Sequence, residues 1–297
     1  MSQIQFRRAT RRQAKLRLGI CGPAGAGKTY SALEVAFGIG GKVALIDTES
    51  GSGELYAHLG EYDVCTLSPP FRVQDYIDAI KAAETAGYDV IILDSITHAW
   101  AGEGGLLEEH DKVTRRTGNS YTAWSEITPL HRQFVEAMLQ SKAHIIATMR
   151  SKTDYILAQN DKGKMAPQKV GMAPIQRDGM DYEFTVVFDM DAAHTAAATK
   201  DRTSLFVGRI FTPSRETGQA LKEWLETGAA PVAAPPRSDP APRAPAAPQS
   251  GPVCEVCGGA LDLEYLDTIK AETGGRSMCK ACFTQWWAAK QRKEGSA

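Results

Sequence analysis

Eight residues near the start of the chain carry the most chemistry: Gly22-Pro23-Ala24-Gly25-Ala26-Gly27-Lys28-Thr29. Their order is that of a P-loop, two spaced glycines followed by a lysine and a hydroxyl residue. Glycine keeps side chains off the loop, so backbone N–H groups can converge on phosphate oxygens. Lys28 would reach the β- and γ-phosphates, and the Thr29 hydroxyl would ligate Mg²⁺. The helix that starts there adds the positive end of its dipole. Together with Tyr30 these residues form the expected ATP-binding set.

Two carboxylates complete the set. Val90-Ile91-Ile92-Leu93-Asp94 reads as a buried strand with Asp94 emerging at its C-terminal end. That is a Walker B pattern, in which Asp94 helps to hold Mg²⁺ through water. Ser95 follows, so no second carboxylate stands directly after it. The neighbouring strand ends Ile46-Asp47-Thr48-Glu49 and puts Glu49 at the same edge, placed to activate water. The alternative for Glu49 is a solvated residue opening the turn at 50–53.

Cysteines form a second centre. Cys254 and Cys257 make one C-x-x-C pair, and Cys279 and Cys282 make another, twenty-one residues on. Each pair is a knuckle that aims two sulfurs at one ion, and two knuckles supply the four thiolates of a Zn²⁺ site. A disulfide pairing is disfavoured in a cytosolic chain, and a four-cysteine iron–sulfur centre is the lesser alternative. Such a small segment draws much of its folding energy from metal. Cys21 and Cys65 read as core residues.

The elements that must position these groups follow from periodicity. Strands are expected at 15–20, 42–46, 63–67, 89–93, 144–148, 183–191 and 202–207. Helices are expected at 28–39, 73–86, 129–141 and 215–226. Continuous apolar strands alternating with helices imply an α/β fold with a mainly parallel sheet covered on both faces. From 229 to 252 the chain holds eight prolines, which makes a semi-extended linker. The expected organisation is a basic arm at 1–14, an ATPase domain at 15–228, the linker at 229–252 and a zinc module at 253–297.

The chain has 297 residues, 43% of them hydrophobic, with a net charge of −1. The first seventeen residues nevertheless carry Arg7, Arg8, Arg11, Arg12, Lys15 and Arg17 and no acid. That arm either contacts nucleic acid or is a solvated start. No apolar run approaches the ~20 residues of a membrane span. No membrane partner is expected, and the expected location is cytoplasmic.

Glu49 after the second strand, rather than after Asp94, resembles the RecA-type recombinase core. Asp47-Thr48-Glu49 and Leu93-Asp94-Ser95 are similar to that family's patterns. Gly118-Asn119-Ser120 through Trp124 resembles its first DNA-binding loop, and residues 145–152 resemble the sensor strand entering the second. Residues 170–188 resemble a segment of phage-encoded RecA-like P-loop ATPases, some of which anneal single strands; in broad classification these are AAA-type ATPases. The resemblance covers about residues 15–228. It implies a nucleotide contact at Thr148, where the family usually has an amide. It also implies that Lys200 and Arg202 reach a neighbour's γ-phosphate. The other reading of those two is a basic hairpin turn.

Basic residues then gather between Tyr121 and Arg177. Arg150, Lys152, Lys162, Lys164, Lys169 and Arg177 would track phosphates. Tyr121 and Trp124 would stack unpaired bases, unless Trp124 belongs to the core. The segment 154–174 reads as a long loop. The reading that unites these features is an ATPase that uses ATP and Mg²⁺ on single-stranded DNA in phage recombination, in a ring or filament. A single-strand DNA-binding protein is a possible further partner. The alternatives are a small-molecule kinase and an ATP-switched loader or adaptor.

Overall fold

The structure, a computed structural model, describes residues 8–159, 165–229, 253–261 and 264–294, the side chains of 154–171 and 293–294 excepted. It divides into two compact units, Met1–Val232 and Ala233–Ala297.

In the first unit, β1 (Arg17–Gly22) leads through the P-loop into α1 (Lys28–Ile39). Next come β2 (Val43–Asp47), a 3-10 stretch (Ser52–Leu59), β3 (Asp63–Thr66), α2 (Val73–Thr85) and β4 (Val90–Asp94). Then follow α3 (Thr97–Ala101), α4 (Leu106–Thr117), α5 (Ser120–Gln140), β5 (His144–Gln159) and β6 (Met165–Pro174). A 3-10 turn (Met180–Glu183), β7 (Val186–Met190), β8 (Ala196–Asp201), β9 (Ile210–Phe211) and α6 (Arg215–Glu226) complete it. The strand order is β3-β2-β4-β5-β1-β7-β8-β9, with β6 paired to β5. Strands β3 through β7 along that path are parallel, and β8 and β9 run antiparallel.

Strands β1, β2 and β4 are buried along their whole length, because helices cover both faces. The two-residue period divides them between two cores. Ile91 and Leu93 face Tyr76 and Ile80 of α2 and Phe134 of α5. Val90 and Ile92 join Leu18, Ile20 and Leu45 against Leu33 of α1 and Leu221 of α6. Each fully buried Ile or Leu contributes roughly 1.5–3 kcal/mol. Helices α1 and α6 meet backbone to backbone. A Cβ on Gly38 would lie 2.0 Å from Arg215 O, and one on Gly218 would lie 2.2 Å from Val35 O.

Several expectations need correction. The expected loop at 154–174 is an antiparallel ribbon: β5 pairs with β6 from Ser151↔Pro174 to Gln159↔Met165. The polar composition of that stretch, with Gly163 and Gly171 in it, reads as a loop, yet its backbone pairs strand to strand. The expected helix at 129–141 instead begins at Ser120 and carries Pro129 inside it. Asn119 caps it, its Oδ1 accepting from the Tyr121 and Thr122 amides at 2.9 and 3.2 Å. The expected strand at 202–207 is a turn, and the strand lies earlier at Ala196–Asp201. The Asp201 carboxylate builds that turn by accepting from Thr203 N at 2.7 Å and Phe206 N at 2.8 Å. Cys21 is buried, but Cys65 is exposed.

Part of the basic arm packs on its own chain. Arg17 is buried and donates to the carbonyls of Ala143 at 2.8 Å and Leu139 at 3.0 Å, beyond and within the end of α5. Arg11 donates to Trp224 O at 2.6 Å and lies 4.2 Å from that ring centroid.

In the second unit, Val253 and Ala260 form an antiparallel bridge, and α7 (Leu266–Thr273) and α8 (Lys280–Glu294) follow. Ile269 and Met278 form its buried centre, with Phe283 and Trp286 against them. Among the described residues no helix is long and apolar enough to cross a membrane.

Candidate nucleotide site

The P-loop leaves β1 at the C-terminal edge of the sheet and closes into α1. Gly27 sits at φ 82, the left-handed region, and a Cβ there would meet His194 Nδ1 at 3.0 Å. Lys28 Nζ donates to Pro23 O at 2.8 Å. Burial lowers the Lys28 pKa, and nearby Glu49 and Asp94 oppose that shift.

Asp94 ends β4 two strands from the P-loop strand, and β5 lies between. Its carboxylate accepts from Thr29 Oγ1 at 2.6 Å on one oxygen and from Thr148 Oγ1 on the other. Burial raises the Asp94 pKa, and the Thr148 and Thr29 hydrogen bonds counter it. A carboxylate beside a threonine hydroxyl is the hard oxygen set that suits Mg²⁺. Thr148, expected at the γ-phosphate, is therefore engaged with Asp94. It is fully buried on β5, directly beside Ile20 of β1.

Glu49 stands at the same edge. Its backbone N–H donates to Asp47 Oδ1 at 2.6 Å, and Thr48 N donates to Asp94 O at 2.8 Å. Thr48 Oγ1 accepts from Ser95 N at 2.9 Å and lies 2.8 Å from His98 Nδ1. The ends of β2 and β4 are thus laced together. The Glu49 carboxylate itself is ion-paired to Arg150, with Nη2–Oε1 at 2.9 Å and Nε–Oε1 at 3.0 Å.

Sequence reasoning missed the residues that clamp the root of the ribbon. Arg150 N donates to Thr97 Oγ1 at 2.9 Å, and Ile96 N donates to Thr148 O at 3.1 Å. Gln176, buried just past β6, donates to Ile96 O at 3.1 Å. Tyr56 was also missed; its ring meets Tyr30 edge-on at 6.1 Å. Nothing local in the sequence marks these partners except their polarity among apolar neighbours.

The expected DNA contacts divide. Tyr121 is 88% exposed near the tip between α4 and α5. Lys152 is exposed on β5. Trp124 is packed instead, stacked on His110 at 4.1 Å and on Trp100 at 6.0 Å. Arg177 lies 5.6 Å from the Trp124 ring and donates to Thr128 Oγ1 at 3.1 Å. Lys162 and Lys164 lie outside the described residues, as does the Lys169 side chain; the backbone of Lys169 pairs with Tyr155.

Lys200 and Arg202 do not join Lys28 within one chain. Asp201 is opposite Val186 and Val186 is beside Leu18, whereas the P-loop departs after Gly22. Both cations therefore sit toward the far edge of the sheet. Lys200 Nζ donates to Asp181 O at 3.0 Å and to Tyr182 O, and Arg202 Nη2 reaches Tyr182 O at 3.5 Å. A cleft of about 540 Å³ beside Lys42 and Asp63 also lies at that far edge, away from Asp94 and Glu49.

In the second unit the four thiols of Cys254, Cys257, Cys279 and Cys282 lie within 4.8 Å of one another, with Cys257 Sγ and Cys279 Sγ 3.7 Å apart. Four thiolates at ~2.3 Å from a tetrahedral ion would have about this spacing, so the donor set fits Zn²⁺. Backbone N–H groups, that of Cys279 first, lower the Cys254 pKa to about 6. The thiols of Cys279 and Cys257 push Cys282 up to about 12.

The AAA domain family matches residues 14–217. A KaiC-like protein from the hyperthermophilic archaeon Pyrococcus horikoshii OT3 is similar in structure. The TM-score is 0.38 at 12% identity, over 66% of this chain and 84% of that one. No curated protein matches the chain in sequence. With a P-loop, a buried Asp94 and a parallel sheet on the page, the chain belongs to the AAA domain family, and its larger unit is an ATP-binding P-loop domain built on a mainly parallel α/β sheet.

Proposed function

We propose that the protein hydrolyses ATP and acts on single-stranded DNA, annealing or pairing strands in phage recombination. One observation supports this reading above the others. Strand β5 is continuous from Thr148 on Asp94, through Arg150 on Glu49, to the ribbon that carries Lys152. The nucleotide site and a cationic surface therefore share one strand. Glu49 activates water, and Lys28 with Mg²⁺ on Thr29 and Asp94 neutralises phosphate charge. Lys200 and Arg202 act on a neighbour's nucleotide in a ring or filament, which accords with their distance from Lys28 along the sheet. The second unit binds Zn²⁺ and offers a surface to a protein partner, such as a single-strand DNA-binding protein.

A small-molecule kinase would gain nothing from an ATP site tied to a basic ribbon. An ATP-switched adaptor would bind ATP but turn it over very slowly in every DNA condition. The test is anisotropy of a labelled single-stranded oligonucleotide with ATP and Mg²⁺ at low salt, beside steady-state ATP turnover. Salt-sensitive binding is expected. Failure to bind would remove DNA from the proposal, and turnover undiminished in Lys28→Ala would remove the nucleotide site.

A further inference from the structure

The P-loop has two flanks. Strand β1, which feeds it, lies between β5 and β7. On the β5 flank stand Thr148 and Asp94, the side that holds the metal. On the other flank Cys21 pairs with Asp189, so β7 ends level with Gly22. The hairpin from β7 into β8 therefore passes beside the loop, and His194 is in that hairpin.

The hairpin is wound around Asp191. That carboxylate accepts from Ala193 N at 2.9 Å, Thr195 N at 3.0 Å and Thr195 Oγ1 at 2.8 Å. Asp191 N donates to Thr195 O at 3.0 Å, and His194 N donates to Asp191 O at 3.2 Å. The turn holds His194 at φ 63, a left-handed backbone that is costly for a residue with a side chain. Glycine would take the same turn without that cost. What histidine adds is the ring, and the ring lies against the P-loop. Its Nδ1 is 3.0 Å from the place of a Cβ on Gly27. His194 is exposed, and among the described residues its ring makes no hydrogen bond. An imidazole always carries at least one N–H, so a donor without an acceptor stands beside the amides that gather phosphate.

The nucleotide's own charges order the two flanks. Mg²⁺ on Thr29 and Asp94, together with Lys28, takes the β- and γ-phosphates. The α-phosphate is left to the opposite side. We propose that His194 is a nucleotide-binding residue whose imidazole donates to the α-phosphate, across the P-loop from the metal. This rests on the ATP site alone and not on the single-stranded DNA reading.

The test is displacement of a fluorescent nucleotide from the full chain by ATP and by ADP, with thermal melting of each nucleotide-free protein beside it. His194→Gly should bind ATP and ADP about tenfold more weakly and to the same degree, because both carry the α-phosphate. Its Tm should stay at or above wild type, because glycine favours the left-handed turn. His194→Asn tolerates the same backbone and keeps an N–H donor, and should bind both within about threefold of wild type. Wild-type affinity in His194→Gly, or a loss confined to ATP, overturns the inference. So does a Tm that falls together with affinity, which would make the ring a brace for the loop. A wild type that binds neither nucleotide overturns the ATP site itself.

Discussion

Thr29 donates to Asp94 at 2.6 Å, joining the end of the P-loop to the end of β4. Thr148 donates to the other oxygen from the strand between them. Two neighbouring strands and the first turn of α1 therefore meet at one carboxylate, whose two oxygens are held by hydroxyls from different parts of the chain.

Thr148→Val keeps the shape and removes one of those donors. The buried Asp94 oxygen then lacks its partner, at a cost of about 1–3 kcal/mol. Thermal melting should show a lower Tm, and Mg²⁺-dependent nucleotide binding should weaken. A Tm equal to wild type would mean that this hydroxyl does not support Asp94.

Lys200 and Arg202 lie toward the sheet edge opposite their own P-loop, so any role at a nucleotide needs a second subunit. Lys28→Ala and Arg202→Ala should each abolish most turnover. Mixed, they should recover part of it, because some interfaces pair an intact P-loop with an intact Arg202. A mixture no more active than its components would speak against shared sites.

Acid should weaken the larger unit. Burial, then Lys15 and Arg17, lower His144 from 6.5 to about 4, and burial, then Arg177, lower His131 likewise. Both are depressed, so the unfolded chain takes up protons first as pH falls. These histidines cost nothing above pH 6.5; stability then drops from about 6.5 to about 4 and levels off below, by about 1–2 kcal/mol after allowance for solvent screening. His144→Gln should flatten part of the decline in Tm. An unchanged slope would assign the acid sensitivity to other groups.

The four-thiol cluster should hold one Zn²⁺ per chain by elemental analysis. Chelation, or Cys254→Ser, should remove the far-UV helical signal of α7 and α8. The melting of the P-loop unit should stay where it was. Retained helices after complete metal removal would show that Ile269, Met278 and the aromatic side chains suffice for this unit.

Local strings were the legible part of this site. The P-loop, Asp94, Glu49 and the paired cysteines each sit within a few residues of the signal that reveals them: a glycine pattern, an apolar strand end, a C-x-x-C spacing. The alternation of buried strands with helices likewise revealed the parallel sheet. Partnerships over long separations were not legible. Arg150 looked like a free cation because Glu49 is distant in sequence, and whether Trp124 stacks bases or packs in the core stayed open because its partners His110 and Trp100 come from other helices. The ribbon was hidden by the polar composition of 154–174. Pro129 suggested a helix start because a helix interior penalises proline, yet α5 carries it inside and starts at the Asn119 cap.

The central claim is that this P-loop hydrolyses ATP in response to single-stranded DNA. Steady-state ATP turnover with Mg²⁺, measured with and without a single-stranded oligonucleotide for wild type and Lys28→Ala, tests it most directly. The account predicts that DNA raises wild-type turnover and that Lys28→Ala loses at least about 100-fold under both conditions. Wild-type turnover indifferent to DNA, or a Lys28→Ala protein as active as wild type, would contradict it.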